Sequence, residues 1–374
     1  MTIRLPYSGR HDLIGQEIGN YRVIRTIGRG GSGTVYEAVD VELGRRVALK
    51  VLSSPLGRDH HALQRLLAEA RIVSTLRSSN IVTVTGFGRT PLGYGYVVME
   101  LLEGESLAQR IQATHHHDAA SAGRGGTASA DLRWLRTAVR IARQVASTMS
   151  SVHQSGIIHR DLKPENIFLV PDADVIGGER VKILDFGMAK AQEDYARWLR
   201  APFPGLTRLE PTQAGAIMGT PAYMAPEQWA AKPAEERTDV YALGCILYEM
   251  LCGQLPFSCT DLNQLMIHHS FHPPPKLALG AQELPPALVE LVRAMLSKIT
   301  EDRPTMAAVA EVLRGVEGSL AQDVLISSEA LRRPASAQLG VAARGRLGWT
   351  ASSALLTAAV LLGIFLARFL MHAG

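Results

Sequence analysis

The sequence predicts an α+β protein of two lobes, a small β-rich N-lobe and a larger helical C-lobe, followed by a C-terminal transmembrane helix. Three patterns predict this bilobal plan: strand alternation before Gly104, long helical periods after it, and a charge-free apolar run near the C-terminus. The chain has 374 residues, 47% apolar and 20% charged, which is ample for a buried core. Its formal net charge of +4 is small, and Lys and Arg are dispersed without interleaved aromatics, so no nucleic-acid partner is implied.

Residues 1–20 read as an N-terminal extension. Arg4, Arg10, Asp12 and Glu17 interrupt it, so it lacks the apolar stretch of a cleavable signal and the bulk of the chain is expected in the cytoplasm. The N-lobe, about 21–103, opens with alternating runs at Tyr21–Ile24, Thr34–Val39 and Arg46–Val51, a strand meander. His60–Leu76 then takes helical spacing, with Leu63, Leu66, Leu67, Ala70 and Val73 on one face, before Ile81–Val84 and Tyr96–Met99 return to strands. The C-lobe, about 104–313, is built on helices at Leu132–His153, Tyr241–Leu251 and Leu284–Leu296. His115–His117 opens the low-complexity run Ala119–Ala130, which reads as a solvated loop rather than a metal tract. Cys245, Cys252 and Cys259 lack the paired spacing of a zinc site and read as core thiols.

Residues 314–346 show no amphipathic period and read as a juxtamembrane linker. Residues 347–367 are about 21 uncharged positions, which as a helix span about 30 Å, the thickness of a bilayer core. Arg344, Arg346, Trp349 and Arg368 flank the run, and the basic side, with Arg332 and Arg333, places the N-terminal part on the cytoplasmic face. The tail 368–374 is too short to fold on the far side.

The chemistry concentrates at His159-Arg160-Asp161-Leu162-Lys163-Pro164-Glu165-Asn166. This spacing supplies a base for a hydroxyl proton in Asp161, a cation for a transferring phosphate in Lys163, and an amide ligand for a divalent metal in Asn166. Gly28-Arg29-Gly30-Gly31-Ser32-Gly33-Thr34-Val35 lies between two strands, so it reads either as a loop covering phosphates or as a flexible hairpin, and not as a dinucleotide fingerprint. Lys50 ends an apolar strand, with Glu69 on the following helix as its orienting anion. Asp185-Phe186-Gly187 leaves the strand Val181–Leu184, where Asp185 and Asn166 can share Mg2+.

In that order these motifs resemble the eukaryotic-type (Hanks-type) protein serine/threonine kinases, and in plan their membrane-anchored bacterial members, over residues 21–313. The resemblance implies the bilobal protein-kinase fold, ATP and Mg2+ as cofactors, and phosphoryl transfer to Ser or Thr of proteins in signal transduction. It implies nucleotide contacts from Ile27 to Val35 along the glycine loop, from Ala48 and Lys50, and from the gatekeeper and hinge Met99, Glu100 and Leu101. Asp161, Lys163, Lys50, Glu69 and Thr220 are the implied catalytic set, and Asn166 and Asp185 the metal ligands. Glu227 of Ala225-Pro226-Glu227 is expected to pair with Arg303, Asp239 to brace the catalytic loop, and Phe186 and Gly187 to shape the metal turn. Lys163 together with Thr220 in Gly219-Thr220-Pro221 resembles the Ser/Thr-selective pattern. Arg160 before Asp161 implies control by a phosphorylated activation segment, with Thr212 the first candidate and Thr207 the second. Ala214 stands where many bacterial relatives carry a second threonine. The segments 112–130 and 190–211 are insertions, the latter with Trp198, Pro202, Phe203 and Pro204 expected to pack. An active kinase that also phosphorylates itself by self-association is the first function expected. The alternative is a membrane-tethered, nucleotide-binding pseudokinase scaffold.

Overall fold

A computed structural model describes residues 13–30, 33–52, 78–90, 93–121, 128–186, 221–277 and 283–332, and side chains are described for fewer of these. Contacts divide the chain into one unit over residues 1–320 and a second over 321–374. Within the first unit the strands come early. β1 (Glu17–Ile18), β2 (Tyr21–Gly30), β3 (Gly33–Asp40), β4 (Arg46–Leu52), β5 (Val84–Arg89) and β6 (Gly95–Glu100) form an antiparallel sheet ordered β1-β2-β3-β4-β6-β5. A smaller sheet joins β7 (Glu105–Ser106), β8 (Ile167–Pro171) and β9 (Glu179–Ile183). The described helices are α1 (Leu107–Ser121), α2 (Ala128–Gln154), α3 (Pro226–Trp229), α4 (Glu236–Cys252), α5 (Leu262–Phe271), α6 (Pro286–Met295) and α7 (Met306–Arg332).

Period-two alternation decides what each face of the large sheet does. Ile18, Val23, Tyr36, Ala38, Leu49, Tyr96 and Val98 make a closed apolar cluster on one side. The register pairs Val35 with Lys50, Ala48 with Met99 and Lys50 with Val97, so these residues share the opposite face. Gly33 begins β3 at φ +152, and a Cβ there would sit 2.2 Å from the Val51 carbonyl oxygen, so the hairpin admits only glycine at that position. The helical core is larger. α2 contributes Leu135, Val139, Ala142 and Met149, α4 contributes Leu243, Ile246 and Leu247, and α6 and α7 close it with Leu291, Met295, Val309 and Leu313. Gly244 lets α4 approach Met295, where a Cβ would come to 3.0 Å.

Three expectations change. Ile81–Thr83 is not part of the large sheet's edge strand, which begins at Val84. Ile81 instead bridges Ile183 and the Val82 N–H donates to the Ile183 carbonyl, so this run ties to β9. The low-complexity run is shorter as a loop than expected, because α1 continues through His117 to Ser121 and α2 already begins at Ala128. Residues 314–346 do not begin as a linker: α7 runs on to Arg332, Val316 and Leu320 are buried, and Glu317 bonds Arg143 of α2 at 2.5 Å. Among the described residues no helix is long and apolar enough to cross a membrane, and residues 347–367 lie outside them.

Candidate active site

α2 ends at Gln154, and the chain turns back through Gly156 beneath the large core. The loop that follows is fixed by one buried anion. Asp239, on α4 and fully buried, accepts the His159 N–H at 2.9 Å, the Arg160 N–H at 2.8 Å and His153 Nε2–H at 2.8 Å. Hydrogen bonds to a charged group contribute about 1.5–3 kcal/mol each, enough to hold Arg160 at φ 68, a conformation that non-glycine residues seldom adopt. His159 Nε2 donates to the Leu184 carbonyl at 2.8 Å and its ring lies 4.7 Å from that of Phe186. The loop is thereby joined to the turn carrying Asp185.

Past this brace, three side chains converge. Lys163 Nζ donates to Asp161 Oδ2 at 2.7 Å, and Asn166 Nδ2 reaches the same oxygen at 3.3 Å and the Asp161 carbonyl at 2.8 Å. With Nδ2 so used, the amide oxygen of Asn166 is its remaining polar atom, and no hydrogen bond among the described residues engages it. The Leu184 N–H donates to the Asn166 carbonyl at 2.8 Å, which sets Asp185 beside this group. Asp185, at φ 61, receives Lys50 Nζ at 2.5 Å. Burial pushes the Asp185 carboxyl up, but the charge and hydrogen bond of Lys50, helped by His159 and Lys163, hold it below its ordinary value. A carboxylate and an amide oxygen are hard donors, and they suit a divalent ion such as Mg2+ better than a softer metal.

A second ion pair braces the helical lobe. Arg303 grips Glu227 with both ends of its guanidinium, at 2.8 and 2.9 Å, and Thr238 Oγ1 donates to Glu227 Oε1 at 2.7 Å. Burial raises the Glu227 carboxyl, but Arg303 and Thr238 overrule it and the net shift is downward. One residue on, Gln228 Nε2 donates to the Arg160 carbonyl at 2.9 Å.

The structure therefore brings together Lys50, Asp161, Lys163, Asn166 and Asp185, with Arg160, Phe186 and Asp239 around them, and separately joins Glu227 to Arg303. Ile27, Gly28, Arg29, Gly30, Gly33, Thr34 and Val35 form the β2–β3 hairpin, and Ala48 and Met99 lie opposite each other on the face shared with Lys50. Lys50 has Asp185 as its partner here. Glu69, its expected anion, lies outside the described residues, as do Gly31, Ser32, Gly187, Thr207, Thr212 and Thr220. In the expected hinge, the Glu100 N–H donates to Thr83 O at 3.0 Å and its carboxylate binds Lys182 at 2.7 Å. Beyond the ladder, the backbones of Leu101 and Leu102 engage no hydrogen bond among the described residues. His153 and Gln228 were not singled out from the sequence, and only His153, near the end of a predicted helix just before the motif, carried a signal that could have found it.

Known proteins resemble this chain. A family model described as "Protein kinase domain" matches residues 21–313. Serine/threonine-protein kinase Pkn1 of Myxococcus xanthus is 35% identical over 320 residues, covering 86% of this chain and 41% of the relative. Serine/threonine-protein kinase PknA of Mycobacterium tuberculosis is 37% identical over 284 residues, covering 75% of this chain and 57% of the relative. The chain thus spans about half the length of these curated relatives. The crystal structure of the Mycobacterium tuberculosis PknI kinase domain superposes with a TM-score of 0.56 at 22% identity, over 81% of this chain and 98% of that one, a likeness of fold.

Proposed function

The chain belongs to the protein kinase family, and on that premise we propose that it transfers the γ-phosphoryl group of Mg-ATP to Ser and Thr hydroxyls of proteins, its own activation segment included. The observation that carries this reading is the convergence of Lys163 and Asn166 on Asp161 Oδ2, at 2.7 and 3.3 Å, beside the Lys50–Asp185 pair. Asp161 orients the acceptor hydroxyl and takes its proton as the new O–P bond forms. Lys163, already paired with Asp161, is within reach of negative charge developing beside that carboxylate. Lys50 stands on the nucleotide side as a point charge for phosphate oxygens. When bound, the metal spreads phosphate charge, and Asn166 Oδ1 and Asp185 are the atoms that would hold it.

The scaffold alternative predicts a missing catalytic group, and among the described residues each of these five positions is filled. The deciding experiment follows labelled phosphate from ATP into the full chain and into a generic acceptor protein. Asp161→Asn should lower incorporation by about a thousandfold or more. Undiminished incorporation sinks the assignment.

The same proposal extends to regulation and place. Arg160 is the proposed reader of phosphate on Thr212 or Thr207, and self-association the route by which one copy modifies another. Residues 347–367 are the proposed single span, with the kinase domain facing the cytoplasm. Removing the chain from Leu347 onward should move the protein from the membrane to the soluble fraction, and unchanged recovery with membranes refutes the anchor.

A further inference from the structure

We propose that Gln228 is a positioning residue for phosphoryl transfer: it holds the carbonyl of Arg160 and thereby the direction of Asp161. The inference rests on the kinase reading above. Gln228 lies on α3, and both ends of its amide are in use. Oε1 accepts the Ala225 N–H at 3.0 Å, and Nε2 donates to the Arg160 carbonyl at 2.9 Å. An N–H needs an acceptor and a carbonyl needs a donor, so the two partners fix the orientation of the amide.

Arg160 sits at φ 68, where the backbone of a non-glycine residue must be held by its surroundings. It is held from two sides by two elements. Asp239 of α4 takes its N–H at 2.8 Å, and Gln228 of α3 binds its C=O. That carbonyl belongs to the planar peptide joining Arg160 to Asp161, so whatever fixes the carbonyl fixes the plane from which Asp161 departs. The other end of the same peptide is less well held, because the Asp161 N–H meets His159 Nδ1 only at 3.4 Å. Gln228 is therefore the shorter restraint on the peptide that aims the base. It also links the loop to Ala225 and Glu227, the end of the segment that resembles a protein-substrate platform.

The competing reading is that Gln228 only closes the turn that starts α3. Gln228→Glu separates the two, because a carboxylate still accepts the Ala225 N–H but cannot donate to Arg160 and sets a negative oxygen against its carbonyl. Gln228→Met removes both bonds and introduces no charge. The measurement is steady-state phosphorylation of myelin basic protein by the full chain, with thermal melting of each variant alongside. Both variants should lose about ten- to a hundredfold in kcat with KM for ATP unchanged, as expected when an aligned base is misplaced. The turn reading predicts a normal Gln228→Glu enzyme. Should Gln228→Glu fail to fold, the uncharged Gln228→Met still tests the proposal, because wild-type kcat in that variant overturns it. A folded variant with wild-type kcat overturns the proposal, whereas a wild-type chain without phosphotransfer overturns the kinase reading beneath it.

Discussion

Two ion pairs among the described residues, Arg303–Glu227 and Lys50–Asp185, have similar lengths and opposite designs. Arg303 and Glu227 are closed on every side: the guanidinium makes two bonds to the carboxylate and further bonds to the carbonyls of Ser297, at 2.8 Å, and Arg237, at 3.0 Å, while Thr238 takes one more lone pair. Side-chain exposure is 0% and 7%. Among the described residues Lys50 and Asp185 make a single bond, to each other, and the Asp185 side chain keeps 23% exposure. Its backbone is also held at positive φ. A saturated pair has nothing left to bind and can only hold the fold. An unsaturated pair beside Asp161 keeps charge available for a partner, which is what chemistry on a phosphate needs.

That contrast breaks most sharply under substitution. Lys50→Met should lower phosphate incorporation by about a thousandfold, since a point charge on the phosphates is lost, while the melting temperature shifts little because Asp185 can turn to water. Arg303→Ala should do the reverse. Removing one partner of a fully buried pair strands Glu227 and costs about 3–5 kcal/mol, readable as a lower urea midpoint, with the remaining folded fraction still active. If Lys50→Met unfolds the chain and Arg303→Ala leaves its stability intact, the division between the pairs is wrong.

Lys50 and Asp185 are each legible in the sequence as residues of the proposed site, though not as a pair, since Glu69 is the anion the sequence offers Lys50. His159–Asn166 and Asp185–Gly187 announce their chemistry by spacing, and β4 announces itself by alternation through Val47, Leu49 and Val51. Glu227 and Arg303 are 76 positions apart, and only a resemblance to a family joined them before the fold did. Gln228 had no signal at all, since its bond to Arg160 crosses 68 positions and exists only once α3 has docked on the loop. The extension of α7 is legible in Leu313, Val316 and Leu320, which recur at helical intervals, but the Ser- and Pro-bearing sequence beyond them obscures the stripe.

His153 tests the brace between the two regions. Leucine there deprives Asp239 of its third donor and should lower kcat by about ten- to a hundredfold, with a stability loss of about 1–3 kcal/mol. Glutamine, which carries an N–H at comparable reach, should restore most of kcat. A merely packing role predicts that leucine performs at least as well as glutamine, so the order of the two variants is the readout.

The smallest effect lies beneath the closed pair and appears only with pH. His269 is fully buried on α5, with Nδ1 3.0 Å from the Tyr241 hydroxyl, against Trp229, Phe257 and Tyr241 and near Lys298 and His268. Burial first, then the charges of Lys298 and His268, push its imidazole down to about 3. Lys298, over the Phe257 ring at 4.2 Å, is pushed down to about 8, chiefly by burial. In each case the unfolded chain binds the proton more readily than the folded one. Stability therefore rises with pH from about 3 to about 6.5 through His269, and again from about 8 to about 10.5 through Lys298. Melting curves of the wild type and of His269→Gln isolate the first window. The variant should lose the dependence between pH 4 and 6.5 beyond what ordinary carboxylates give, and equal slopes for the two proteins would mean that His269 does not remain neutral in the folded lobe.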